Sequence, residues 1–221
     1  MNIAKSNLSS QFSSNRVFDK IFKDYLAEAY MAKKGGNKKD YGLYFYGLAF
    51  LVLFVLALQF DFQISKTITG LRNSFLDGIM LVLTSSLWQI ALFCGASIIV
   101  FFSNRKKILH LWLSAVVSMA VSIILKAVIA RPRPFTAGIS TLESLVKSAY
   151  TTSDFSFPSN HAILAFIPLL FLSKKWFWPW LAVAMLVAFS RVYFGLHYLS
   201  DVIASMSLAL LVSYFVLRKV K

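Results

Sequence analysis

The chain has 221 residues, of which 58% are hydrophobic and only 14% charged, yet its formal net charge is +14. Soluble domains run about 45–50% apolar and about 25% charged, so this composition excludes disorder, a disulfide-stapled secreted scaffold and a charged coiled coil. It points to a membrane protein, and a chain with so little polar surface is not expected to bind nucleic acid despite its charge.

In chain order, residues 1–40 read as a cytoplasmic N-terminal segment. They hold no uninterrupted apolar core, so no signal peptide is expected. Val17, Phe18, Ile21, Phe22, Tyr25, Leu26 and Tyr30 recur at helical spacing between charged residues. That pattern predicts an amphipathic helix on the membrane surface, with a partner-binding helix as the other reading. Lys33-Lys34-Gly35-Gly36-Asn37-Lys38-Lys39 is a flexible basic connection suited to anionic headgroups.

Residues 41–221 read as a membrane domain of six spans. Tyr41 to Phe60 is uncharged and long enough to cross. The next uncharged stretch, Gly78 to Asn104, divides near Thr84-Ser85-Ser86 into an interfacial helix and a second span, Leu87 to Ser103. The third runs from Ile108 to about Ala130. A polar loop follows from Arg131 to about Phe157, and then three apolar segments near Ser159–Ser173, Trp176–Phe194 and Leu196–Leu217. Sixteen of the 23 Lys and Arg fall before the first span, at Arg105-Lys106-Lys107, at Lys174-Lys175 and at Arg218-Lys219-Lys221. Six spans put all four places on one side, which the positive-inside rule makes cytoplasmic, together with both termini. The one cysteine, Cys94, lies in an apolar run and permits neither an intramolecular disulfide nor a cysteine metal cluster.

Several ionisable residues break the apolar pattern. Lys126 follows Ser122-Ile123-Ile124-Leu125, Arg191 interrupts an apolar run, and His197 and Asp201 open the last span. With His161 and Arg133 they all map to the extracytoplasmic ends of spans three to six, where such groups are expected to face a polar cavity. Lys126, Arg133 and Arg191 suit the charge on phosphoryl oxygens. His197 and Asp201 are spaced i, i+4, so the carboxylate can take the Nδ1 proton and leave Nε2 free as a nucleophile. His161 would then protonate the departing oxygen. Arg191 and His197, six apart, need a break between them, which Gly195 supplies.

The blocks Lys126-(six residues)-Arg133-Pro134, Pro158-Ser159-Asn160-His161 and Ser190-Arg191-(five residues)-His197-(three residues)-Asp201 resemble the three-part signature of the type 2 phosphatidic acid phosphatase family. That family includes membrane lipid phosphatases and shares its site with vanadium haloperoxidases. The motifs cover the second half of the chain, and the six-span layout covers the whole. The resemblance implies a metal-free enzyme without cofactor. In it His197 forms a phosphohistidine, Asp201 orients it and His161 is the acid, while Lys126, Arg133, Ser159, Asn160 and Arg191 hold phosphate. Ser190 is given a supporting role. The substrate implied is a lipid phosphate in the bilayer: undecaprenyl diphosphate, phosphatidate or phosphatidylglycerol phosphate. A lipid phosphotransferase, or a non-catalytic lipid-binding or transport protein on the same scaffold, is the alternative.

Two departures stand out. Asn160 occupies a position where the family usually has Gly, and only 28 residues separate His161 from Ser190. At 1.5 Å per residue each arm is about 20 Å, which predicts a site recessed below the outer surface. His110 is expected to pack near the cytoplasmic interface, Glu143 and Asp154 to be solvated, and Arg131 to serve the loop or a headgroup.

Overall fold

The computed structural model describes residues 41–139 and 155–219. The expected amphipathic helix and residues Glu143, Lys147 and Asp154 of the long loop lie outside them. The described residues from Phe50 onward belong to one compact unit. Among the described residues every regular element is helical: α1 Tyr41–Thr69, α2 Ser74–Thr84, α3 Ser86–Ser103, α4 Lys106–Ile129, α5 Asn160–Phe166, α6 Lys174–Tyr193 and α7 Leu199–Lys219. A 3-10 turn at Ile167–Leu170 continues α5.

Among the described residues, five helices are long and apolar enough to cross a membrane, namely α1 from Gly47 onward, α3, α4, α6 and α7. The protein is therefore a multi-pass membrane protein with an all-α fold. The remaining crossing, expected at Ser159–Ser173, is shorter than the others. Its seven α-helical and four 3-10 residues rise about 18 Å, against about 30 Å of hydrocarbon. Pro168 lacks the N–H that would continue the α-helical ladder. Leu172 and Phe171 both close onto its carbonyl instead. This short element is central rather than peripheral. It packs against α3, α4, α6 and α7, and Ala162, Ile163, Phe166 and Ile167 are fully buried. Trp180 of α6 donates its indole N–H to the Ala165 carbonyl at 2.9 Å, which satisfies the buried donor while its ring fills the core.

The division expected near Thr84-Ser85-Ser86 occurs there. Ser85 ends α2 and its hydroxyl caps α3 by accepting from Trp88 N–H. The first span, in contrast, does not stop at Phe60. α1 continues to Thr69, carrying Asp61 inside the helix.

Between its core-facing residues the bundle uses small side chains. Ser114, Ser118 and Ser122 of α4, and Ser205, Ala209 and Ser213 of α7, are buried at i, i+4, i+8 on two helices that pack together. Small residues let helix backbones approach closely where lipid removes the usual hydrophobic drive. Leu51, Phe62, Leu87, Phe102 and Val128 point outward, as side chains in contact with acyl chains do.

Candidate active site

Every residue singled out from the three motif blocks comes from one end of the helices: the C-terminal ends of α4 and α6, the N-terminal ends of α5 and α7, and the loops beside them. Arg105, Lys106, Lys107, Lys174, Lys175, Arg218 and Lys219 belong to the opposite ends. Chain connectivity thus separates two populations of positive charge.

His197 lies in the turn between α6 and α7. That turn is closed by the Arg191 carbonyl, which accepts from both Leu196 N–H at 3.0 Å and His197 N–H at 3.2 Å. Gly195 makes the turn possible with φ of +64°, the break that its position suggested. Gly195→Ala would place a Cβ in left-handed backbone at about 1–2 kcal/mol. The expected result is a fall in the thermal midpoint in detergent together with reduced turnover, since the displaced residues carry His197.

The His197 ring is held at both nitrogens. Nδ1 lies 2.6 Å from the Ser156 carbonyl oxygen, and Nε2 lies 3.2 Å from an Arg133 guanidinium nitrogen. A carbonyl can only accept and a guanidinium can only donate, so the proton belongs on Nδ1 and the lone pair on Nε2. This is the tautomer a nucleophilic Nε2 requires. Its cause differs from the expectation, because Asp201 Oδ2 is 3.7 Å from Nδ1 and makes no hydrogen bond to it. Oδ2 instead accepts from Tyr198 N–H at 2.9 Å, and Ser156 O accepts the hydrogen bond from the imidazole Nδ1–H. Asp201 adjoins the histidine without bonding to it.

The cations converge on the same space. Arg133, almost fully buried, donates to Leu196 O at 2.8 Å as well as facing Nε2. Arg191, 1% exposed, donates to the carbonyl and hydroxyl oxygens of Thr84 at the end of α2. Lys126 donates to Phe155 O at 2.9 Å and Pro158 O at 2.8 Å, so in this structure it clamps the strap that carries Ser156. His161 stands in the first turn of α5, and its Nε2 has no hydrogen-bond partner among the described residues. The fully buried Ser159 hydroxyl also has no partner among the described residues, while its backbone N–H donates to Ser205 Oγ at 2.7 Å. Asn160 directs its carboxamide oxygen to Ser122 Oγ at 2.5 Å, tying α5 to α4. Ser190 bonds back to Val187 O within its own helix.

Arg131 requires a correction. It lies in the loop after α4, but its side chain turns inward onto two carboxylates. It forms ion pairs with Asp201 at 2.7 Å and Asp61 at 2.8 Å, and stacks over Tyr198 at 3.9 Å. Sequence reasoning also missed Thr84, Ser156 and Asp61. The first two act largely through carbonyl oxygens, which leave no residue-type signature, whereas Asp61 was visible as an acid between Phe60 and Phe62.

Among the described residues no three His, Cys, Asp or Glu are grouped to hold a metal ion. The arrangement present is an imidazole whose Nε2 faces a guanidinium, a second imidazole, three cations and a buried hydroxyl without a partner among the described residues.

A model of the PAP2 superfamily matches residues 107–221. The chain is 32% identical over 169 residues to undecaprenyl-diphosphatase BcrC of Bacillus subtilis (strain 168), covering 72% of this chain and 83% of that protein. It is 27% identical over 191 residues to an undecaprenyl-diphosphatase of Sulfolobus acidocaldarius, covering 77% and 89% respectively. Among solved structures, the first transmembrane PAP2-type phosphatidylglycerolphosphate phosphatase from Bacillus subtilis superposes with a TM-score of 0.59 at 26% identity. That match covers 76% of this chain and 92% of the other.

Proposed function

Since this chain belongs to the PAP2 superfamily, we propose that it is an integral membrane lipid phosphatase working through a phosphohistidine on His197, with a polyprenyl diphosphate as its preferred substrate. The observation that carries the mechanism is the fixed His197 tautomer, with its Nε2 lone pair held among Arg133, Arg191 and Lys126. The names of the two diphosphatase relatives favour the diphosphate over a phosphomonoester.

In the first step Nε2 attacks phosphorus, a P–N bond forms, and the P–O bond to the leaving group breaks as His161 donates a proton to the departing oxygen. In the second, His161 takes a proton from water, which displaces the phosphoryl group and releases inorganic phosphate. Arg133 and Arg191 neutralise the charge spread over the phosphoryl oxygens, and the Ser159 hydroxyl gains the partner it lacks. When phosphate enters, Arg133 exchanges its contact with Nε2 for one with a phosphoryl oxygen.

The site is assigned to the extracytoplasmic side and both termini to the cytoplasm, because the basic clusters opposite the site mark the cytoplasmic ends of the helices. Phosphate release by the purified protein from polyprenyl diphosphate, phosphatidate and phosphatidylglycerol phosphate, each with EDTA present, tests the assignment. The diphosphate is expected to turn over fastest, with no loss in EDTA. Activity abolished by EDTA, or no release from any of the three lipids, would overturn it.

A further inference from the structure

The helix α1 meets the bundle along a narrow stripe. Between Leu51 and Thr67 its buried residues are Ala57, Asp61 and Ser65, at i, i+4, i+8, and the faces beside them are exposed. Asp61 is 4% exposed, eight residues from the helix end, about 12 Å below it. An acid there is costly unless its oxygens are satisfied, and each of them is. Oδ1 accepts from Ser200 backbone N–H at 3.0 Å. Oδ2 accepts from Arg131 at 2.8 Å and from the Ser200 hydroxyl. The same guanidinium gives its other terminal nitrogen to Asp201 Oδ1 and to Ser200 Oγ, both at 2.7 Å.

These bonds together form a helix cap. The helix α7 begins at Leu199, so Tyr198 holds the capping position, and its phenol carries no acceptor suited to the first-turn N–H groups. Asp201, three residues on, reaches back to Tyr198 N–H as the third helical residue does in a capping box. The other half, an oxygen accepting from the second helical N–H, comes from Asp61 on a different helix. We infer that Asp61 is a positioning residue: acting through Arg131 and the Ser200 amide, it fixes Asp201 and the start of α7, and thereby the His197 ring one residue before Tyr198. This assignment rests on the phosphatase reading for its kinetic consequence, while its structural part stands independently.

Two measurements test it. The first compares kcat and KM on polyprenyl diphosphate for Asp61→Asn, Asp61→Glu, Asp201→Asn and the Asp61→Asn/Asp201→Asn double variant, per molecule eluting as native protein. Asp61→Asn is expected to lower kcat about tenfold with KM unchanged, the scale seen when groups that orient active residues are lost. Asp61→Glu should recover part of that loss. The double variant should be no slower than Asp201→Asn alone, because the two substitutions disable one chain of contacts. Wild-type kcat in Asp61→Asn, or losses that multiply in the double variant, would overturn the inference.

The second measurement is amide hydrogen exchange over the peptide containing Tyr198 and Ser200, in wild type and Asp61→Ala. Faster exchange at that peptide, with the core of α4 unchanged, is expected. Unchanged protection there would remove the cap. This readout needs no turnover, so if wild-type protein released no phosphate from any lipid, the functional reading would fail and exchange alone would decide the role of Asp61.

Discussion

His197→Ala is expected to lower phosphate release by about 10⁴-fold or more while the protein still inserts and elutes as a folded species; removing a nucleophile held by a dedicated partner has effects of that size. In the proposed mechanism the imidazole Nε2 is the atom that forms the covalent bond. Arg133 at 3.2 Å is a donor and cannot take over as nucleophile. The substitution leaves a small cavity and deprives the Ser156 carbonyl of its partner, together about 2–4 kcal/mol in a buried setting. A lower thermal midpoint is therefore expected beside the kinetic loss. His197→Gln separates the two effects, because its amide can still donate toward Ser156 O and has no comparable nucleophilic nitrogen. It should regain part of the thermal stability and none of the turnover. Release of phosphate by either variant at a rate near wild type would exclude a phosphohistidine at this position.

Much of the helical layout was legible because hydropathy and turn residues report local properties. The split at Thr84-Ser85-Ser86 follows from a serine suited to capping, and the break before His197 from a glycine at φ of +64°. The convergence of His161, Lys126, Arg133 and Arg191 was also legible, since charged residues at the apolar ends of several helices share few places to go. Long-range partners carry no such local signal. Asp61 read as the end of a span because an acid interrupts an apolar run, yet Arg131 and Ser200 satisfy it and α1 runs on. Arg131 misses the motif spacing from Lys126, and its importance lies in a contact 70 residues away on either side. The i, i+4 relation of His197 and Asp201 indicated that their side chains lie close, which they do at 3.7 Å, although His197 precedes α7 rather than sharing a helical face with Asp201. It could not anticipate that the Ser156 carbonyl would lie closer to Nδ1 than the carboxylate does. The shortness of the α5 segment was legible from the 28 residues between His161 and Ser190; what composition could not show is that Pro168 ends its α-helical ladder.

His161→Asn is expected to discriminate between substrates, and this distinguishes an acid from a phosphate ligand. A phosphomonoester such as phosphatidate must expel an alkoxide, which is a poor leaving group unless protonated as the bond breaks. A polyprenyl diphosphate expels a phosphate monoester, whose oxygen is stable as an anion. Loss of a general acid typically lowers the rate about 10²–10⁴-fold where protonation is required. The upper part of that range is expected on phosphatidate and a much smaller loss on the diphosphate. The second step carries a further signature. With no imidazole to take the proton from water, hydrolysis of the phosphohistidine slows, so a radiolabelled phosphoenzyme stable to base and labile to acid should accumulate during turnover of labelled diphosphate. Equal losses on both lipids with no trapped intermediate would show that His161 only binds phosphate, and the proton would then have to come from water in the cavity.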